Sequence, residues 1–297
     1  MSDITLQQLL EAGCHFGHKA ERRHPKATPF IYTEKDGIHI IDLVQTKAGL
    51  DKAIAQVREI VGNGGEVLFV GTKRQAKDVL KTEADRAGVP FVVERWIGGF
   101  LTNWEGIQRT IKKILTMTED QKTGAWKRFP KHEQVKMAHH LKRMNMFYGG
   151  VTKLMELPKA LFIVDVKKEG VAFRETIRCH IPIIAIVDTN VNPTDVQYPI
   201  PANDDAVGSI AIISKALADA YLEGKRIVEK NTPVTKPEKA EIKETEEKTE
   251  KKEHTEKKET IEKKEIEEKT EKKEKTGKKE TVKIEKKPSI EVQNKEK

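Results

Sequence analysis

Three short apolar runs constrain the fold of this chain more than any other feature. They span residues 66–70, 160–165 and 183–188, and each is almost wholly apolar. Strands buried on both faces of a sheet have this composition, whereas strands with one face in water alternate apolar and polar residues. Segments with helical spacing lie between and after the runs. This succession predicts an α/β fold, a parallel sheet with helices on both faces.

The predicted helices are recognised by apolar residues that recur every three or four positions. The helix predicted around residues 76–87 is expected to end before Gly88. The helix predicted around residues 207–221 is expected to be capped by Asn203, Asp204 and Asp205. Before them, residues 30–33 and 38–42 flank a Lys-Asp-Gly turn and predict a small hairpin. The three helical faces contain Leu50, Ala53, Ile54, Val57 and Ile60; Ala76, Val79, Leu80, Ala84 and Ala87; and Val207, Ile210, Ile213, Leu217 and Tyr221.

Residues 104–148 interrupt the alternation with two helical patterns and no strand between them. They predict an inserted antiparallel helical hairpin. The segment holds ten Lys or Arg and four acidic residues, a net charge of +6. Residues 1–230 as a whole also carry a net charge of +6. A basic arm of this kind is expected to lie on a polyanion. The two apolar faces contain Trp104, Ile107, Ile111, Ile114 and Thr118, and Val135, Ala138, Leu141, Met144 and Tyr148.

The end of the chain differs in composition from the rest. Residues 231–297 contain 21 Lys and 19 Glu and almost nothing apolar, so they are predicted to be a disordered tail. The predicted organisation is an α/β body of residues 1–103 and 149–230, the hairpin of residues 104–148, and this tail. Two cysteines, the lack of a signal-like start and the lack of a membrane-spanning run predict a cytoplasmic protein.

The run at residues 12–18 contains potential metal ligands. Cys14, His15 and His18 could bind zinc, but their spacing matches no standard structural motif. We therefore predict no metal there and interpret the run as a glycine turn with hydrogen-bonded histidines. Near the predicted strand ends, Asp165, Asp188, Asp204 and Asp205 could meet and bind Mg²⁺. Turn and helix-cap chemistry is the preferred interpretation of these four acids.

Two further segments have alternative interpretations. Residues 67–75 run from a strand through Gly71 into a helix start, where backbone amides favour a phosphate. Lys73 and Arg74 are either phosphate contacts or solvated residues there, and no Walker loop or dinucleotide fingerprint accompanies them. Trp96 and Trp104 flank two glycines and could stack on bases, although anchoring the loop is preferred. No nucleophile, base and orienting group share one motif, so catalysis is not predicted.

Seven motifs occur in an order that resembles the bacterial ribosomal protein S2 family, over residues 5–228. The resemblance implies a flavodoxin-like or Rossmann-like domain with a coiled-coil hairpin, bound to small-subunit (16S) ribosomal RNA. It implies neighbouring small-subunit proteins as partners, including ribosomal protein S1. From the residues themselves we predict no enzyme activity, cofactor, membrane or small-molecule substrate. The motifs are Gly13-Cys-His-Phe-Gly-His18, Phe69-Val-Gly-Thr-Lys73, Trp96-Ile-Gly-Gly-Phe-Leu-Thr-Asn-Trp104, Tyr148-Gly-Gly-Val151, Leu157-Pro-Lys-Ala-Leu-Phe162, Asp188-Thr-Asn190 and Tyr198-Pro-Ile-Pro-Ala-Asn-Asp-Asp205.

Two alternatives to RNA binding stay open: a nucleotide- or sugar-phosphate-using enzyme on the same sheet, and a scaffold whose basic arm binds acidic proteins.

The candidate RNA contacts are the Lys and Arg residues that lie in clusters of positive charge. The candidates are Lys19, Arg22, Arg23, Lys26, Lys73, Arg74, Arg95, Lys112, Lys113, Lys127, Arg128, Lys142 and Arg143.

Overall fold

The computed structural model describes residues 4–231, and a small antiparallel sheet follows the first short helix. Its strands β1 (Phe16–Lys19), β2 (Ile31–Lys35) and β3 (Ile38–Ile41) lie in the order β1-β3-β2. Asp36 and Gly37 both have positive φ, as a tight two-residue hairpin turn requires, so the predicted hairpin is confirmed. The glycine turn predicted within residues 12–18 is confirmed for residues 12–15, where Gly13 has positive φ, whereas residues 16–18 belong to strand β1.

The main sheet is parallel, as the apolar runs predict. Its strands are β4 (Val67–Val70), β5 (Phe91–Val92), β6 (Ala160–Val164), β7 (Ile183–Val187) and β8 (Tyr198–Pro201). Their spatial order is β5-β4-β6-β7-β8. Numbered along the chain within this sheet, the order is 2-1-3-4-5, which is flavodoxin-like. The strands β5 and β8 were not predicted, because one has two residues and the other contains two prolines.

Helices cover both faces of the main sheet. Because successive side chains of a strand point to opposite faces, Phe69 packs into one layer and Leu68 and Val70 into the other. The first layer is formed with α1, α2, α3 and α7, and the second with α6 and the base of the hairpin. The helices are α1 (Leu6–Glu11), α2 (Leu43–Gly62), α3 (Arg74–Ala87), α4 (Trp104–Thr123), α5 (Lys131–Tyr148), α6 (Gly170–Arg178) and α7 (Val207–Asn231).

The inserted hairpin consists of α4 and α5. Ile107 and Ile111 bury the base of α4 against the sheet, while Ile114 and Leu141 form a separate small core farther along the hairpin. Trp126, in the short turn between the helices, completes that core and is 6% exposed. Val135 was predicted on the apolar face and is instead 56% exposed. The hairpin therefore has a narrow apolar interface and a wide solvent-facing exterior.

The start of α7 differs from the prediction. The side chain of Asn203 accepts hydrogen bonds from the backbone N–H groups of Asp205 and Ala206, which makes a turn ahead of the helix. No acidic residue lies in the first turn of α7. Asp204 points instead to Lys73, so tertiary contacts and not the helix dipole determine its place. Apart from its first residue, the predicted tail lies outside the described residues.

Candidate nucleic-acid interface and sheet-edge cluster

The hairpin presents all of its positive charge to solvent. All ten of its Lys and Arg residues are exposed. Within the described residues, Arg109 is the one hairpin cation with a carboxylate within 4 Å, Glu105 at 3.6 Å. Both of these side chains are more than four-fifths exposed, so the pair is weak. The narrow apolar interface explains the arrangement, since it leaves most of each helix surface for polar side chains.

A second group of exposed cations lies at the end of β1 and in the loop that follows it. The loop backbone is held against the end of β7, because the N–H of His24 donates to the carbonyl of Thr189 at 2.8 Å. The N–H of His18 donates to the Thr189 hydroxyl at 3.0 Å. A Cβ on Gly17 would lie 2.8 Å from the Thr189 side chain, so glycine permits this approach. The exposed cations are Lys19, Arg22, Arg23 and Lys26.

Lys73 does not join the exposed cations. Its ammonium lies 2.8 Å from Asp204, 2.7 Å from Asp205 and 3.2 Å from Asp165, and the side chain is 11% exposed. Burial by itself would lower the pKa of Lys73, but hydrogen bonds and attraction to these carboxylates raise it above its ordinary value. We therefore leave Lys73 out of the RNA-contact set and retain its exposed neighbour Arg74.

The carboxyl edge of the sheet, where open α/β folds bind ligands, is filled by the protein's own groups. Beside the turn from β4 into α3, the Glu169 carboxylate accepts hydrogen bonds from the N–H and the hydroxyl of Thr72. Glu169 is 4% exposed and comes from the segment after β6. A carboxylate thus stands where a phosphate would meet this turn, and the nearby acids repel a second anion. The arrangement disfavours a nucleotide or sugar-phosphate ligand.

The same edge holds a donor set suited to a cation. Ligand atoms of His18, Asp188 and Asp204 lie within 4.8 Å of one another. The His18 Nδ1 atom is 2.9 Å from Asp188 Oδ2, and this hydrogen bond raises the pKa of His18. One oxygen of Asp204 is buried and has no hydrogen-bond partner within the described residues. One imidazole and two carboxylates could coordinate a divalent cation.

The zinc alternative based on Cys14 is not supported by the geometry. Cys14 is fully buried in the first hydrophobic core, and burial raises the pKa of its thiol. Within residues 4–231, the structure does not gather Cys14, His15 and His18 into one ligand group. His18 instead faces the acids after β7 and β8, a pairing between residues about 170 positions apart that spacing in the sequence cannot reveal.

Asp204 makes the stability of the fold dependent on pH. Burial, followed by repulsion from Asp165 and Asp188, raises its pKa from 3.8 to about 6, although Lys73 opposes the shift. Between those two values the folded state binds more protons than the unfolded state, so this group's contribution to stability falls as pH rises. Relative to Asp204→Asn, the wild-type free energy of unfolding should therefore fall by about 2 to 3 kcal/mol from about pH 4 to about pH 7.

Urea denaturation of both proteins across this pH range measures the effect. The buffers should contain a chelator, so that no divalent cation competes with the proton. The corresponding substitution at the exposed Asp195, Asp195→Asn, is the control and should show a much smaller pH-dependent difference. A wild-type to Asp204→Asn difference that stays constant with pH would contradict the prediction.

The tryptophan and glycine loop before α4 is anchored from α6. The Glu175 carboxylate accepts hydrogen bonds from the N–H groups of Gly99 at 2.7 Å and Leu101 at 3.0 Å, and from the Trp96 indole at 3.3 Å. Trp96 is 7% exposed and packs on Phe100 at a ring distance of 5.0 Å. The structure therefore favours the anchoring role of Trp96 over base stacking.

Removal of this anchor should destabilise the body. Glu175→Ala leaves three donors without their charged acceptor, and we expect a loss of about 2 to 4 kcal/mol in the free energy of unfolding. Glu175→Gln retains one acceptor oxygen and should lose less. The exposed neighbour Arg174 provides the control, and Arg174→Ala should change stability by no more than about 0.5 kcal/mol. Equal urea midpoints for the two alanine variants would argue against the anchor.

A groove that charge clustering does not reveal lies between this loop and α5. Arg95 and Arg143, two of the proposed RNA contacts, both line it. The partly buried rings of Phe147 and Tyr148 line it as well, together with His140. The adjacent aromatic residues Phe147 and Tyr148 at the end of α5 were the available signal in the sequence, but Tyr148 was assigned only to helix packing and Phe147 to no role.

One comparison with known proteins bears on these surfaces. A family model described as "Ribosomal protein S2" matches residues 9–224. The match covers both sheets, the hairpin and helices α2 to α6 in full. It also includes the sheet-edge cluster, the groove and every candidate RNA contact.

Proposed function

The chain belongs to the ribosomal protein S2 family and is thus a small-subunit ribosomal protein, and we propose that it binds 16S ribosomal RNA through its exposed Lys and Arg side chains. The observation that carries the proposal is that all ten hairpin cations are exposed and that nine of them have no carboxylate within 4 Å in residues 4–231. The proposed contacts are Lys19, Arg22, Arg23, Lys26, Arg74, Arg95, Lys112, Lys113, Lys127, Arg128, Lys142 and Arg143.

The proposed mechanism is electrostatic. Each Lys or Arg that contacts a phosphate releases a condensed counterion, so the affinity decreases as salt increases. Contacts to phosphate and sugar position a protein on its nucleic acid without reading a base sequence. Folded RNA is recognised largely by shape, backbone and 2′-hydroxyls, which a fixed pattern of surface cations suits. The hairpin would supply half of these cations, and the end of β1 with the loop after it would supply a second contact region.

The role is proposed to be structural and not enzymatic, because the family is one of structural ribosomal proteins. The α/β body would present surfaces to neighbouring small-subunit proteins, and family membership supports a contribution to docking ribosomal protein S1. The proposed location is the cytoplasmic ribosome. None of the helices within residues 4–231 has the length and apolar character that crossing a bilayer requires.

Sucrose-gradient fractionation of cell extract, with immunodetection of the protein, tests the proposal. We expect co-migration with free small subunits at low magnesium and with whole ribosomes at high magnesium. Nuclease treatment should release the protein, because RNA is the proposed partner. Association that resists nuclease would favour a scaffold that binds acidic proteins. Recovery only at the top of the gradient would overturn the ribosomal role.

A further inference from the structure

We propose that the groove between residues 95–98 and the second half of α5 binds one unpaired nucleotide of the RNA. The base would lie against the aromatic wall, and the flanking phosphates would meet Arg95 and Arg143. The proposal rests on the proposed function and deepens it, because it assigns to one part of the surface a contact with a base. The groove has a volume of about 410 Å³, within the range of small-molecule sites.

The wall of the groove has the chemistry that a nucleobase requires. Phe147 and Tyr148 are partly buried and line the groove beside Met144. Single-stranded bases are commonly held by stacking on such rings, and every base offers a flat face for this contact. Trp96 also lines the groove, but it is almost fully buried, so the accessible aromatic surface comes from Phe147 and Tyr148.

The rim of the groove is complementary to phosphate. Arg95, His140 and Arg143 are exposed there, and the groove lining includes no acidic side chain. Neither arginine has a carboxylate within 4 Å in the described part of the chain. Both guanidinium groups are therefore available for bidentate hydrogen bonds to phosphate. A groove lined by aromatic rings and two arginines fits a nucleotide, which has a flat base and flanking charged phosphates.

The two sides of the groove are held in place before any ligand binds. Residues 95–98 belong to the loop that Glu175 anchors through three hydrogen bonds. On the other side, Tyr148 packs against the sheet core and also against the hairpin core. A site whose walls are already ordered loses little conformational entropy on binding.

Binding of the full-length protein to a 16S rRNA transcript, measured across a range of salt concentrations, tests the proposal. Tyr148→Leu removes the ring while keeping an apolar side chain, and we expect a loss of about 5- to 100-fold in affinity with an unchanged salt slope. Tyr148→Phe restores the ring and should regain most of that affinity. Arg143→Ala should reduce the salt slope by about 0.7 to 0.9, because it removes one phosphate contact. Met146→Ala, on the exposed side of the same helix, is the control.

Ultraviolet crosslinking of reconstituted small subunits, followed by mass spectrometry, provides a readout that does not depend on affinity. We expect the peptide containing Phe147 and Tyr148 to carry one specific nucleotide. This measurement decides the question if Tyr148→Leu proves unstable in thermal unfolding. Wild-type affinity for Tyr148→Leu together with no crosslink would overturn the groove proposal. So would a crosslink from this peptide to an acidic protein.

The failure of the groove proposal and the failure of the proposed function give different results. If the groove alone fails, reversal of Lys112 and Lys113 still weakens binding to the rRNA transcript. If the function fails, the wild-type protein shows no salt-dependent binding to the transcript at all, and no variant changes it.

Discussion

Reversal of four hairpin cations should lower the affinity for 16S rRNA on the order of 100- to 1000-fold near physiological salt, the largest effect expected from surface changes. The substitutions are Lys112→Glu, Lys113→Glu, Lys142→Glu and Arg143→Glu. Each removes a proposed phosphate contact and places a negative charge beside the RNA. The slope of log affinity against log salt should fall by roughly 3, at about 0.7 to 0.9 per contact. Filter binding at several salt concentrations measures both quantities.

A matched quadruple variant separates local contacts from net charge. Lys52, Lys81, Arg174 and Arg178 are also exposed, but they lie on α2, α3 and α6. Their reversal to Glu changes the net charge by the same amount and should lower the affinity far less. In cells, the hairpin variant should be depleted from small subunits in a sucrose gradient, whereas the control variant is retained. Equal depletion would mean that overall charge, and not the hairpin, governs binding.

Removal of the Lys73 ammonium should destabilise the fold while leaving RNA binding unchanged. Lys73→Met keeps the length of the side chain but leaves the buried carboxylate of Asp204 without its cation. Breaking a buried ion pair from one side typically costs about 3 to 5 kcal/mol in the free energy of unfolding. The salt slope of rRNA binding should not change, since Lys73 already has three carboxylate neighbours. Urea denaturation and filter binding measure the two effects.

Two comparisons make this prediction specific. Arg74→Met alters the exposed neighbouring residue and should change stability by no more than about 0.5 kcal/mol, while lowering the salt slope by about one phosphate contact. Addition of Asp204→Asn to Lys73→Met should recover part of the lost stability, because it removes the unpaired buried charge. A reduced salt slope for a stably folded Lys73→Met protein would return Lys73 to the RNA-contact set.

The elements that were predicted correctly have a signal contained within their own residues. A strand buried on both faces must be apolar throughout, which identifies β4, β6 and β7. Helix α3 carries its apolar spacing and its Gly88 end, where φ is +70°. The hairpin was recognised because two helical patterns follow each other with no strand between them. Strands β1, β5 and β8 lack such a signal, because β1 contains a glycine and two polar residues, β5 has only two residues, and β8 contains two prolines.

The same distinction, between a signal contained in nearby residues and one that depends on distant segments, applies to the candidate site residues. Twelve of the thirteen proposed RNA contacts are exposed, because a cation surrounded by polar residues on a helix or loop remains in water unless a partner draws it inward. Lys73 has partners that arrive from Asp165, about 90 positions away, and from Asp204 and Asp205, about 130 positions away. The groove is also invisible locally, because its two sides come from a loop before the hairpin and from the end of its second helix.

The sequence by itself determined the α/β class, the inserted basic hairpin and which residues form the buried strands. These properties follow from hydrophobic periodicity and charge, which each segment carries wherever it is placed in the fold. The tertiary structure alone decided three features. The charge of Lys73 is paired with carboxylates, Glu169 accepts hydrogen bonds from Thr72 where an anion would bind, and Tyr148 lines a groove. The physical reason is that the free energy of a charge or a ring depends on what surrounds it, and those surroundings come from distant segments of the chain.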